Sequence, residues 1–198
     1  MVLRVLLVIV ALVIVVGWLV FSGTLYRLTV SPEEQAKGLA IHAHMRGLAL
    51  SMTRDSLGIA APASANQPWG VVMDWGLGEV TTTVVAYATG DASMYLSSGG
   101  GFIGGRDEPT VHAAALALID TLAHAGAPCD VRTQFPLPAK DHVTFHLLTD
   151  GGVRVCQATN AELMSGKHPL SNAYDVVQEL IAAFRNSPTI RSMVPQGG

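Results

Sequence analysis

Charge is scarce in this chain of 198 residues, of which only 14% are Asp, Glu, Lys or Arg. The 12 basic and 15 acidic residues give a net charge of −3, and the sequence contains no run of Lys or Arg. Proteins that bind nucleic acid normally present a basic patch or stripe, because they must neutralise backbone phosphates. The composition therefore argues against nucleic acid as a partner.

The sequence also lacks the spacings that mark common active sites. It has no H-E-x-x-H or C-x-x-C pair for a metal and no G-x-S-x-G turn for a nucleophile. We therefore predict no catalytic residue, no metal site and no cofactor, and we favour a non-enzymatic protein. The two cysteines, Cys129 and Cys156, either form one disulfide or remain buried thiols, since the sequence does not set the distance between them.

The chain does contain one long apolar run near its start. No charged residue interrupts residues 5–26, from Val5 to Tyr26, which as a helix would span about 33 Å and match a bilayer core. A cleaved signal peptide is the alternative, but its apolar region is normally about 7–15 residues long. The run thus predicts a single-pass membrane protein with an anchor at residues 1–27. Basic residues flank both ends, so the orientation stays open, with a preference for a domain outside the cytoplasm.

Residues 31–186 read as one α+β domain, followed by a disordered tail at residues 187–198. Ser31 and Glu34 form a capping box at the start of a helix that is predicted to run from Pro32 to about Arg54. Alternating apolar residues and turn signals predict five strands, at residues 69–75, 80–88, 92–97, 143–149 and 153–159. Two more helices are expected at residues 109–124 and 171–185. The order α-βββ-α-ββ-α with short hairpins predicts an antiparallel five-stranded sheet with helices packed on it.

The most unusual stretch is the glycine-rich segment at residues 97–105. It matches the dinucleotide motif G-x-G-x-x-G by letter, but the next helix is expected only at Pro109, after the acidic Asp107 and Glu108. We interpret the segment as a tight strand-to-helix crossing that needs positive φ at several glycines. It is also the candidate loop for a ligand or partner, and its members are Ser97, Ser98, Gly99, Gly100, Gly101, Gly104, Gly105 and Glu108.

Histidines and one aspartate are the remaining candidates. His42 and His44 lie two apart on a predicted helix, so they diverge and cannot share a metal. His142 and His146 fall on one side of a predicted strand, which indicates a polar sheet face. Asp74 is expected at a strand end facing water, with a partly buried carboxylate of shifted pKa as the alternative.

The segments W-G-x-x-M-D-W, starting at Trp69, and S-S-G-G-G-F-I-G-G, starting at Ser97, resemble a domain of uncharacterised bacterial proteins. In that domain an acidic residue also recurs at the start of the helix after the glycines, here matched by Glu108. The resemblance covers residues 69–184 and implies no activity. The order of elements is similar to that of roadblock and profilin-like modules, which are interaction scaffolds.

These observations predict a membrane-anchored, non-enzymatic interaction or sensing module. Its expected partners are the lipid bilayer, through Val5–Tyr26, and a protein partner or a second copy of the chain. The alternative is a small-molecule or nucleotide-binding domain that uses the Gly99–Gly105 loop.

Overall fold

A computed structural model describes residues 31–188 of the chain. Four α-helices, seven strands and two short 3₁₀ turns make up this part of the protein. In chain order they are α1 (Pro32–Ser51), a 3₁₀ turn (Asp55–Leu57), β1 (Gly70–Leu77), β2 (Val80–Tyr87), β3 (Ala92–Leu96), β4 (Gly101–Phe102), a 3₁₀ turn (Gly105–Asp107), α2 (Pro109–His124), β5 (Asp130–Val131), β6 (His142–Thr149), β7 (Gly152–Thr159), α3 (Asn160–Met164) and α4 (Ser171–Asn186).

The strands form one sheet in the order β4-β3-β2-β1-β6-β7-β5, and every neighbouring pair is antiparallel. The α+β class and the antiparallel pairing agree with the prediction, but the count of five strands is wrong. The two strands missed, β4 and β5, are two residues long and lie at opposite edges of the sheet. A two-residue strand is too short to show the alternation that reveals strands in a sequence.

The membrane prediction is corrected as well. Within residues 31–188, no helix combines the length and the apolar character needed to cross a bilayer. The anchor predicted at residues 1–27 lies outside the described residues. As far as the described chain reaches, this finding contradicts a single-pass membrane protein, and we correct the fold and localisation predictions accordingly.

One face of the sheet packs against α2 and α4 and contains the main hydrophobic core. Trp75 on β1 meets Tyr174 on α4 edge to face, with 5.6 Å between ring centroids. At the β4 edge, Phe102 stacks on Phe184 at 5.7 Å. The fully buried apolar side chains of this core include Val71, Met73, Val84, Phe145, Leu118, Val177, Leu180 and Ile181.

The opposite face is polar at its centre and is covered in part by α1. Thr83, Asp74 and Thr144 stand side by side on β2, β1 and β6, and all three are buried. The predicted capping box between Ser31 and Glu34 is present at the start of α1. Of the 20 residues in α1, only Gly38, His42 and Ala49 are buried. Ala49, with the partly buried Met45 and Leu50, packs in a smaller apolar cluster that includes Trp69 and Val85, so both apolar and polar contacts attach α1.

Cys129 and Cys156, whose pairing the sequence left open, form a disulfide with Cα atoms 4.6 Å apart. Cys129 directly precedes β5, and Cys156 lies on β7, the strand with which β5 pairs. The bond therefore secures an edge strand that has only two residues of ladder to hold it in place.

Breaking this disulfide should lower the free energy of unfolding. The bond joins residues separated by 27 positions, and closing a loop of that size is expected to stabilise the fold by about 3–4 kcal/mol. Urea denaturation of the wild type and of a Cys129→Ser/Cys156→Ser variant measures the difference. Wild type reduced with dithiothreitol is the control, because it loses the bond without gaining a buried hydroxyl at position 156. A loss below about 0.5 kcal/mol in both samples would contradict the expectation.

Candidate functional site

The glycine-rich segment forms a β-hairpin rather than a direct strand-to-helix crossing. Leu96 N–H donates to the carbonyl of Gly100 at 3.1 Å, and Gly99 N–H donates to the carbonyl of Leu96 at 2.9 Å. The chain thus turns back after β3 and adds β4 before it reaches α2. The expected positive φ is present, with 99° at Gly99 and 81° at Gly100, values that side chains with a Cβ rarely allow.

The structure separates the predicted loop residues into two groups. Ser97 is turned inward, where its Oγ accepts a hydrogen bond from Thr81 N–H at 2.8 Å. Ser98 and Gly99 lie against Gly38 of α1, at which a Cβ would stand 3.2 Å from Ser98 O and Gly99 N. The absence of a side chain at position 38 therefore lets α1 approach the loop closely.

The other group belongs to the far side of the sheet. Gly105 lies beneath Val111 of α2, where a Cβ would have no room. Glu108 accepts a hydrogen bond from Ser187 Oγ at 2.9 Å, which ties the start of α2 to the end of α4. Ser187 itself is buried, although it was predicted to begin a disordered tail. Residues 189–198 of that tail lie outside the described residues.

A cleft of about 230 Å³ opens between α1 and the glycine hairpin. Its walls are apolar side chains and glycine backbone, and none of the described residues that line it carries a charged side chain. The lining residues are Gly38, Ile41, His42, Met45, Tyr95, Leu96, Gly99, Gly100, Gly101 and Ile103. Three of the predicted loop residues, the glycines at positions 99, 100 and 101, thus meet in one site with α1.

His42 is the polar side chain that connects this cleft to the sheet. Its Nε2 lies 2.9 Å from Thr83 Oγ1, and Thr83 donates its own hydroxyl proton to Asp74 Oδ1 at 2.6 Å. Because a carboxylate only accepts, the proton shared with Thr83 in the first contact must come from Nε2 of His42. Burial lowers the pKa of His42, so its ring is neutral near pH 7 and its Nδ1 is a hydrogen-bond acceptor.

Asp74 is the centre of a buried polar cluster with Arg46, Thr83 and His146. Nε and a terminal nitrogen of Arg46 donate to Asp74 Oδ2 at 2.8 and 2.7 Å. His146 Nε2 lies 3.0 Å from the same oxygen and 3.4 Å from Arg46. The shorter contact is to a carboxylate, so Nε2 carries the proton and donates it. The prediction of an Asp at a strand end facing water is therefore wrong, because Asp74 is mid-strand and fully buried.

These contacts settle the ionisation of Asp74. Burial alone would raise the pKa of Asp74, but the hydrogen bonds from His146 and Arg46 and the charge of Arg46 outweigh it. The pKa of Asp74 is held below its ordinary value, and the carboxylate stays charged. The cluster is therefore an ion pair between α1 and the sheet, with His146 and Thr83 as further donors.

This cluster is largely shielded from solvent within residues 31–188. Asp74 has no exposed area, His146 is 1% exposed, and the side chain of Arg46 is 11% exposed. Nδ1 of His146 is buried without a hydrogen-bond partner, and the ring of Phe135 meets that imidazole edge to face at 5.4 Å. An Asp–His pair is a common catalytic combination, but general acid–base work needs contact with substrate. Within residues 31–188, the ion pair between Arg46 and Asp74 joins α1 to the sheet, and we call this pair the latch.

A second depression, of about 260 Å³, lies at the opposite end of α1 beside Trp69 and Leu148. Its charged rim residue Arg54 already pairs with Asp55 at 2.8 Å and Asp150 at 3.2 Å. One cation thus faces two carboxylates at that rim, so its net charge is −1 and its arginine is already paired.

Sequence reasoning missed the partnership of Arg46, His42 and Thr83 with Asp74. One signal was present, because polar residues alternate at Thr81 and Thr83 on one strand and at Thr144 and His146 on another. That pattern predicts a polar face but does not indicate which helix covers it. The described residues contain no group of three or more His, Cys, Asp or Glu that could hold a metal.

No protein-family model matches the chain, and neither the curated proteins nor the solved structures provide a match. The resemblances noted from the sequence therefore remain predictions.

Protonation of His42 should weaken the fold in mild acid. Its folded-state pKa is lowered, so below about pH 6.5 the unfolded chain binds the proton more tightly and stability falls. The pKa of Asp74 is also lowered, so protonation of Asp74 reduces the free energy of unfolding only at much lower pH. Urea denaturation between about pH 7.5 and 5 measures this effect. The free energy of unfolding should fall less steeply with falling pH for His42→Gln than for wild type, and the Gln amide can still donate to Thr83. Equal slopes for the two proteins would contradict this role of His42.

Proposed function

We propose that the domain is a non-enzymatic protein-interaction module whose recognition surface is the cleft between α1 and the glycine hairpin. The observation that carries this proposal is the apolar rim of the cleft. Ile41 and Ile103 are 54% and 66% exposed beside it, and Leu48 is 48% exposed on the same side of α1. Exposed apolar residues that are gathered around a pocket are typical of protein interfaces.

The size of the cleft favours a partner's side chain over a whole small ligand. Pockets that enclose drug-sized molecules have volumes of roughly 300–1,000 Å³, and this cleft measures about 230 Å³. A cleft of this size can accept one or two apolar side chains, while the rim residues contact the surface around them. His42 also lines the cleft, and its neutral ring adds no charge there.

The nucleotide alternative has less support from the same lining. A phosphate group needs cationic side chains or a helix N-terminus, and no Lys or Arg lines the described cleft. The hairpin also precedes a 3₁₀ turn, and α2 begins only at Pro109. Asp74 and His146 are buried, which likewise favours a binding function over a catalytic one.

Charge placed at the cleft should weaken recognition, whereas charge on the far side of α1 should not. Peptides selected from a displayed random library against the full chain are the probe, with affinity measured by fluorescence polarisation. We expect peptides with an apolar, uncharged anchor, and for Ile41→Asp at least a tenfold weaker affinity, about 1.4 kcal/mol. Leu39→Asp is the matched control, because Leu39 is 52% exposed on α1 but does not line the cleft.

The proposal fails if the library gives no binder, or if the two aspartate variants weaken binding equally. Circular dichroism and urea midpoints of both variants verify that the fold is retained, so that a loss of affinity reports on the surface alone.

A further inference from the structure

The chain between β5 and β6 forms a loop that is fastened at its two ends. At one end Arg132 N–H donates to Val153 O at 2.9 Å. At the other end Asp141 N–H donates to Gly76 O at 2.8 Å. Between these points, no hydrogen bond joins residues 133–137 to the rest of the described chain. Segments with so few bonds are the ones that open locally at a low cost in free energy.

One aromatic ring packs this loop against the sheet. Of residues 133–137, Phe135 is partly buried and the other four are exposed. Its ring meets the imidazole of His146 edge to face, with 5.4 Å between ring centroids and 85° between the planes. The phenyl ring of Phe135 is therefore the part of the loop that covers His146.

The imidazole under the loop has a nitrogen that no described group uses. Nε2 of His146 donates to Asp74 Oδ2 at 3.0 Å, so Nδ1 of the neutral ring carries the lone pair. His146 is 1% exposed, and its Nδ1 has no hydrogen-bond partner among the described residues. A buried polar atom without a partner destabilises a fold, and most such atoms in proteins are paired. A ligand that donates a hydrogen bond to Nδ1 would supply the missing partner.

We propose that Nδ1 of His146 is a binding site for a neutral aromatic group that carries a hydroxyl or an N–H, and that the loop is the lid of this site. When residues 133–137 open, they vacate the space of a phenyl ring beside the imidazole, and an aromatic group of similar size can fill it. Arg46 balances the charge of Asp74, so the site favours a neutral ligand over an ion. Neither Phe135 nor His146 lines the cleft at the glycine hairpin, so this proposal does not rest on the interaction function of that cleft.

The probes p-cresol and toluene test the site, because they differ only in the hydroxyl. The full chain is labelled with ¹⁵N at histidine and titrated at about pH 8, where histidine is ordinarily neutral. We expect p-cresol to bind at least about tenfold more tightly than toluene and to shift the Nδ1 resonance of His146, since that nitrogen gains a hydrogen bond.

Two loop variants test the lid. Phe135→Ala should bind p-cresol at least about tenfold more tightly than wild type, because no phenyl ring competes for the space. Leu137→Ala is the matched control, since Leu137 lies on the same loop but is 47% exposed, and it should leave the affinity unchanged. Circular dichroism of both variants verifies that the fold is retained.

Three results would overturn the proposal. They are equal affinity for the two probes, p-cresol binding that leaves the Nδ1 resonance unmoved, and binding to Phe135→Ala without any binding to wild type at about 5 mM. A glycine–tyrosine–glycine peptide, with its phenylalanine counterpart as control, identifies the source of the aromatic group. Tighter binding of the tyrosine peptide than of p-cresol indicates the side chain of a partner protein, and the reverse indicates a free small molecule.

Discussion

The position of α1 depends on one buried ion pair, between Asp74 in the middle of the sheet and Arg46 on the helix. Two nitrogens of Arg46 hold one carboxylate oxygen, and Thr83 and His146 supply further hydrogen bonds. A buried charge without its partner destabilises a fold by about 3–5 kcal/mol, so removing either residue of the pair should be strongly destabilising. Ala49 and the partly buried Met45 and Leu50 also make apolar contact with the sheet, so this pair supplements a small hydrophobic contact between helix and sheet.

The cleft exists because this latch sets α1 beside the glycine hairpin. Gly38 allows the helix to approach Ser98 and Gly99, while Ile41 and Met45 on the same helix form one wall. His42 belongs to both features, since it lines the cleft and donates through Thr83 towards Asp74. The cleft and the attachment of α1 are therefore physically connected through His42.

The sequence predicted those features that depend on local pattern. The five longer strands, the helices at Pro109 and Ser171 and the capping box at Ser31 all followed from periodicity and turn residues. The two-residue strands β4 and β5 did not, because they are set by pairing with distant chain. The glycines predicted a tight crossing with positive φ but not the hairpin that the chain forms there, and nothing local indicated that Arg46 would reach across 28 positions to Asp74. Polar pairs between residues far apart in the sequence can be recognised only once the fold is known.

The most direct test of the latch is amide hydrogen exchange of Arg46→Met, in which a side chain of similar length lacks the charge. If the ion pair fastens α1, its amides should lose protection by about a hundredfold or more relative to wild type, while those of α2 and α4 keep theirs. Unchanged protection in α1, or an equal loss in all the helices, would contradict the account.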